Sequence, residues 1–150
     1  MLKNSLYMVE AAKQNEAAGG KKAKILIAED DKFLSKVLSD KFTRKNYAVI
    51  VASDGIETIN KIKSEAPDIV LLDLIMPNKN GFEILEEVKT DIKYKKLPII
   101  ILSNLGQKKD VERGKKLGVV DYLVKSNTPI NDIVKKVEEV LAANIIARNL

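Results

Sequence analysis

From Ala23 onward the chain alternates between two kinds of pattern, and that alternation restricts its fold more than any other feature. Short runs rich in β-branched and apolar residues, "AKILIA", "AVIVA", "DIVLLD", "LPIIILS" and "VVDYLV", are each followed by a stretch with helical character. After the first run, Phe33, Leu34, Val37, Leu38 and Phe42 recur at helical spacing within "KFLSKVLSDKFTRKN". After the second, Ile56, Ile59 and Ile62 mark a helix that ends before Pro67. "GFEILEEVKT" reads as the third helix, and "KKDVERGKKLG" as a short, highly charged fourth with few apolar anchors. "INDIVKKVEEVLAANIIA" is the last, with Ile130, Ile133, Val134, Val137, Val140 and Leu141 on one face. Five strands alternating with five helices predict an α/β fold, a doubly wound five-stranded parallel sheet with helices on both faces. At 150 residues this is most simply a single domain with a full core.

The first 22 residues stand apart as an extension or linker ahead of a domain over 23–150. Within them "SLYMVEAAKQNEAA" predicts a weak helix with Leu6 and Val9 on one side, broken by "GGKK", and Met8 is a second candidate start. No apolar stretch has the length of a membrane span, and Glu10 interrupts any signal-like core at the start, so the expectation is a soluble, cytoplasmic protein with no membrane partner. Histidine and cysteine are both absent, which removes zinc hydrolases, Ser-His triads and thiolate chemistry. The net charge of +5 comes from scattered lysines without an Arg-rich cluster or interleaved aromatics, the pattern of a solvated surface and not of a direct nucleic-acid partner.

In open α/β sheets, ligands bind beyond the carboxyl ends of the strands. Here the first strand ends in Glu29-Asp30-Asp31, the third in Asp73, the fourth in Ser103-Asn104 and the fifth in Lys125, whereas the second ends in the unremarkable Ala52-Ser53-Asp54. Each residue has a plain account of its own. Asp31 is a natural N-cap for the helix that follows, Ser103 and Asn104 suit a turn, and Lys125 could carry its head out into water. What the plain accounts leave unexplained is the shared edge. Asp73, within an otherwise apolar run, is expected where its strand meets water, because a carboxylate in mid-strand would be costly to desolvate. Carboxylates crowded there repel one another and favour a divalent cation; oxygen donors with retained waters suit Mg²⁺ best. Lys125 and the Ser103 hydroxyl could then receive phosphate oxygens. With no Cys or His in the chain, the nucleophile for phosphoryl transfer must be a carboxylate, and Asp73 is the natural choice.

These residues carry a family resemblance. "KILIAEDD", "ASDGIE", "LLDLIMPNKNGFEIL", "LPIIILS" and "DYLVK" resemble, in order and spacing, the receiver domain of two-component response regulators from residue 23 to about 147. The resemblance implies the flavodoxin-like strand order 2-1-3-4-5. It also implies that Asp73 accepts a phosphoryl group from a phosphohistidine of a sensor histidine kinase or phosphotransfer domain. Asp30, Asp73 and the backbone carbonyl of Ile75 would ligate Mg²⁺, Glu29 acting mainly through a bound water. Ser103 and Lys125 would contact the phosphoryl oxygens. Ser103 and Tyr122 would form the switch that alters the surface of the fourth helix, fifth strand and fifth helix for an unnamed downstream protein.

Two positions depart from the family. The proline that usually follows the strand-five lysine, joined by a cis peptide, is Ser126 here. A cis bond before a non-proline costs roughly 2.5–4 kcal/mol, so a trans bond and a different loop are expected. Asn104 stands where a small residue is usual. Other readings compete. A haloacid-dehalogenase-type phosphatase needs a second Asp two positions after the nucleophile, where this chain has Ile75. A flavin-binding protein wants a Ser/Thr/Gly-rich phosphate loop where Glu29-Asp30-Asp31 stands. A receiver-like adaptor regulated without phosphorylation is the remaining alternative. With no output domain after the fifth helix, the chain reads as a stand-alone receiver or as a fragment of a longer regulator.

Overall fold

The computed structural model describes residues 22–149. The expectations for an N-terminal linker and its weak helix lie outside the described residues. The strands are β1 (Lys24–Ala28), β2 (Ala48–Ala52), β3 (Ile69–Leu72), β4 (Ile99–Ser103) and β5 (Asp121–Val124), all parallel, in the order β2-β1-β3-β4-β5. Between and after them run α1 (Lys32–Arg44), α2 (Gly55–Glu65), α3 (Gly81–Thr90), α4 (Lys108–Lys116) and α5 (Ile130–Asn149). A short 3₁₀ turn, Lys125–Asn127, follows β5. The doubly wound α/β sheet and its order are those the sequence led us to expect.

The three inner strands are apolar on both faces because helices cover both. Ile25, Ile27, Ile69, Leu71, Ile100 and Leu102 pack with Leu38 and Phe42 of α1 and with Ile133, Val134, Val137, Val140 and Leu141 of α5. The alternate residues Leu26, Ala28, Val70, Leu72, Ile99 and Ile101 face α2 and α3 through Ile59, Ile62, Phe82, Leu85 and Val88. Helix starts follow capping chemistry. The Asp31 carboxylate accepts from the amides of Phe33 and Leu34, as expected of an N-cap, and Asn80 and Glu83 form a reciprocal capping box at α3.

Two apolar residues expected on helix faces are largely exposed. Phe33 is 79% exposed and Ile56 is 54% exposed. Both sit in the first turn of their helices, at the edge where the strands end, so their side chains project past the sheet. Strand limits are also shorter than the apolar runs: β3 stops at Leu72, before Asp73, and β5 begins only at Asp121, after Val119 and Val120.

Truncating Phe42 or Leu38 to alanine is expected to cost about 2–5 kcal/mol of unfolding free energy. Phe33→Ala should stay within about 0.5 kcal/mol. Urea unfolding of the three variants checks the contrast.

Candidate functional site

Register brings the acidic groups together. Ala28 of β1 pairs with Leu72 of β3, so the next residues, Glu29 and Asp73, stand side by side. The Asp73 amide donates to the Ala28 carbonyl at 3.0 Å, continuing the ladder by one bond. Carboxylate oxygens of Glu29, Asp30 and Asp73 lie within 4.8 Å of one another. Leu72 is level with Ile101 on β4, and Ile101 with Tyr122 on β5. Ser103 therefore lies two residues beyond that level and Lys125 three, and only a long side chain on β5 can reach back.

Lys125 does so. Its ammonium donates to Glu29 at 2.9 Å (Oε1) and to Asp73 at 3.0 Å (Oδ2). Asp73 is 5% exposed and Glu29 3%. Asp73 does lie past the end of its strand, but the expectation that it meets water there is wrong: it is buried, and the Lys125 ammonium takes the place of solvent. The reading of Lys125 as an ammonium carried into water fails for the same reason. The remaining Asp73 oxygen, Oδ1, accepts from the Ile75 amide at 3.2 Å. Asp30 is exposed at the mouth, and Asp31 is turned away to cap α1.

One ammonium between two buried carboxylates leaves a net negative charge. Burial, aided by the nearby Asp73 charge and only partly opposed by Lys125, pushes Glu29 up to about 7. Burial works to lower the Lys125 value, but its bonds to the two carboxylates outweigh burial and raise it. The Asp73 charge adds to both directions, though burial is the larger cause at Glu29. That excess, with three carboxylates converging, fits a hard divalent cation. An octahedral Mg²⁺ with oxygens at about 2.0–2.1 Å spans roughly 4 Å between opposite ligands, close to the spread found here.

Ser103 is fully buried, and its Oγ accepts from the Leu105 amide at 3.3 Å. The Tyr122 hydroxyl donates to the Leu105 carbonyl. The sequence reading passed over Leu105, which joins these two side chains through its backbone and so leaves no signal in its residue type. Burial raises Tyr122 to about 12, with the charges of Asp110 and Asp73 adding to it, so it stays a neutral donor. Asn104 and Ser126 are exposed, Ser126 inside the 3₁₀ turn. Among the described residues no peptide bond is cis, as expected for Lys125–Ser126.

A doubly wound sheet carries acidic groups, a lysine and a hydroxyl together at its carboxyl edge, a set with the chemistry to take a cation. The comparisons show the family. The family described as "Response regulator receiver domain" matches residues 25–138. The chain is 38% identical over 108 residues to "Probable transcriptional regulator ycf27" of Guillardia theta, covering 72% of this chain and 41% of that relative. It is 32% identical to the chemotaxis protein CheY1 of Helicobacter pylori, over 81% of this chain and 98% of that one. The receiver domain of Francisella response regulator 1452 superposes with a TM-score of 0.74 at 28% identity, covering 83% of this chain and 99% of that one. The chain belongs to the response regulator receiver family, whose members are signalling phosphoacceptors and not classical enzymes. It spans about half the length of the ycf27 regulators it matches. The comparisons lend no support to the adaptor alternative. Among the described residues, no helix is long and apolar enough to cross a membrane.

The folded-state value of Glu29 lies above the 4.5 of an ordinary glutamate, so its contribution to stability is fully present below pH 4.5 and is lost as pH rises through about 7. In chelator, the wild type should lose on the order of 1–3 kcal/mol more than Glu29→Gln between pH 5 and pH 8. Denaturant titrations at both pH values measure the difference.

Proposed function

We propose that Asp73 is the phosphoacceptor of this receiver, within a domain over residues 23–150, and that a phosphohistidine of a sensor histidine kinase or phosphotransfer domain is the donor. The observation that carries this reading is the placement of the Asp73 carboxylate against the Lys125 ammonium and within a three-carboxylate cluster. In the transfer an Asp73 oxygen attacks phosphorus, the phosphorus–nitrogen bond breaks, and the electron pair leaves with the imidazole, giving an acyl phosphate.

Asp30, Asp73 and the Ile75 carbonyl would hold Mg²⁺, with Glu29 contributing through water. The ion supplies charge neutralisation and a template for the phosphoryl oxygens. Lys125 is already bonded to Asp73 and so stands ready for the oxygens of a phosphoryl group there. Ser103 now accepts from Leu105; a swing of the side chain that carries its oxygen toward the phosphate, beyond mere donation of its proton, would release that amide. Because Tyr122 is bonded to the carbonyl of the same residue, release at Leu105 is felt at the tyrosine.

Helix α4 is suited to answer such a shift. Its only buried residue is Gly114, and it is tied to α3 through Arg113, which stacks on the Phe82 ring at 4.1 Å and meets Glu86 at 3.4 Å. Contacts of this kind rearrange at low cost compared with a packed core. The α4–β5–α5 surface would then dock a downstream protein, in the cytoplasm.

Incubation with acetyl phosphate and Mg²⁺ should add one phosphoryl group to the wild type and none to Asp73→Asn, read by intact-mass spectrometry. An adduct of equal yield in the mutant would remove Asp73 from the role. Ser103→Ala should still accept the group, and should lose the accompanying change in the tyrosine signal.

A further inference from the structure

We infer that Gly55, the first residue of α2, is a positioning residue for the cation, acting through the β3–α3 loop; this rests on the reading of Ile75 as a ligand given above. Ile75 is poorly placed to hold its own carbonyl still. Its side chain is 57% exposed, and what packing the segment has comes from Leu74 and Met76 on either side. The loop is anchored instead through its neighbours. The Ile75 amide is held by Asp73, the Gly81 amide donates to the Leu74 carbonyl at 3.0 Å, and the Pro77 carbonyl accepts from both Lys79 (2.8 Å) and Gly55 (3.1 Å).

At Gly55 helix and loop also approach too closely for a side chain. A Cβ at that position would lie 1.9 Å from the Lys79 carbonyl oxygen and 2.5 Å from its Cβ, where real contacts stay above 3.0 Å. Any side chain at residue 55 must therefore drive helix and loop apart by roughly 1 Å. The helix end is the firmer partner. Asp54 accepts from the Glu57 amide at 2.8 Å, and Glu57 in turn holds the amide and hydroxyl of Ser53, both at 3.0 Å. Ile59 and Ile62 fasten the same helix to the core. The loop, pinned to the core at Leu74 and Met76 but exposed at Ile75, Pro77, Asn78 and Asn80, is the part that yields. Mg²⁺ tolerates little departure from octahedral geometry, so the displacement registers as lost affinity.

The test is an Mg²⁺ titration of the full chain by calorimetry, with phosphorylation by acetyl phosphate followed across Mg²⁺ concentration. Gly55→Ala should weaken Mg²⁺ about 10- to 100-fold, the loss usual for residues that orient ligands, and saturating Mg²⁺ should restore the phosphorylation rate. Ile59→Val, which loosens the same helix through the core, should keep wild-type affinity. Unchanged affinity in a folded Gly55→Ala, or an equal loss in Ile59→Val, overturns the inference. Should Gly55→Ala not fold, hydrogen exchange in the wild type decides. Mg²⁺ should slow exchange at the Gly55 amide together with Ile75, and slowing at Ile75 alone overturns the coupling. A wild type that takes up no Mg²⁺ refutes the cation reading itself, and the role of Gly55 with it.

Discussion

A single ammonium group, that of Lys125, stands between two carboxylates that the fold has removed from water. Much of the site depends on that arrangement. Glu29 and Asp73 are neighbours because β1 and β3 are neighbours, and neither could be buried ionised without a nearby cation. Lys125 directly follows the edge strand β5 and reaches past β4, so its bonds tie the ends of three strands together where they leave the core. One positive charge against two negative ones is an incomplete balance. The remainder is what a divalent cation would offset, and Asp30 is the exposed member of the three-carboxylate cluster.

From this centre the structure becomes softer with distance. The inner strands are buried on both faces, and a close-packed core does not deform gradually. The loops at the carboxyl edge carry the chemistry, and Leu105 links the buried Ser103 to Tyr122 through two backbone bonds. Beyond Tyr122 lies α4, where Gly114 leaves room for the ring: a Cβ there would come within 3.0 Å of it. A rigid sheet that positions charges and a lightly held helix that can respond are different demands, and the chain meets them in different segments.

Much of this was legible in the residues. The alternation of β-rich and helical patterns led to the parallel sheet, and strand ends carrying Glu29, Asp73, Ser103 and Lys125 led to the site, because strand direction alone sends all of them to one edge. Phe33 and Ile56 were misread because helical spacing identifies a face but not how far along the helix the sheet extends beneath it. Asp73 was expected at water because sequence shows that a carboxylate needs compensation without showing what supplies it. The roles of Leu105 and of Gly55 against Lys79 depend on backbone atoms, which every residue type shares.

The sequence by itself determined the class of fold, the edge at which Glu29, Asp73, Ser103 and Lys125 gather, and, through the lack of histidine and cysteine, the exclusion of imidazole and thiolate chemistry. Those properties follow from residue type and from periods of two and 3.6, which are local. Tertiary structure alone decided that Lys125 rather than solvent meets Asp73, that Ser103 and Tyr122 share one intermediary, and that α2 presses on the loop after Asp73. Each depends on register between strands or on the approach of two backbones distant in the chain. Such distances are set by the packing of the whole domain, and no local pattern encodes them.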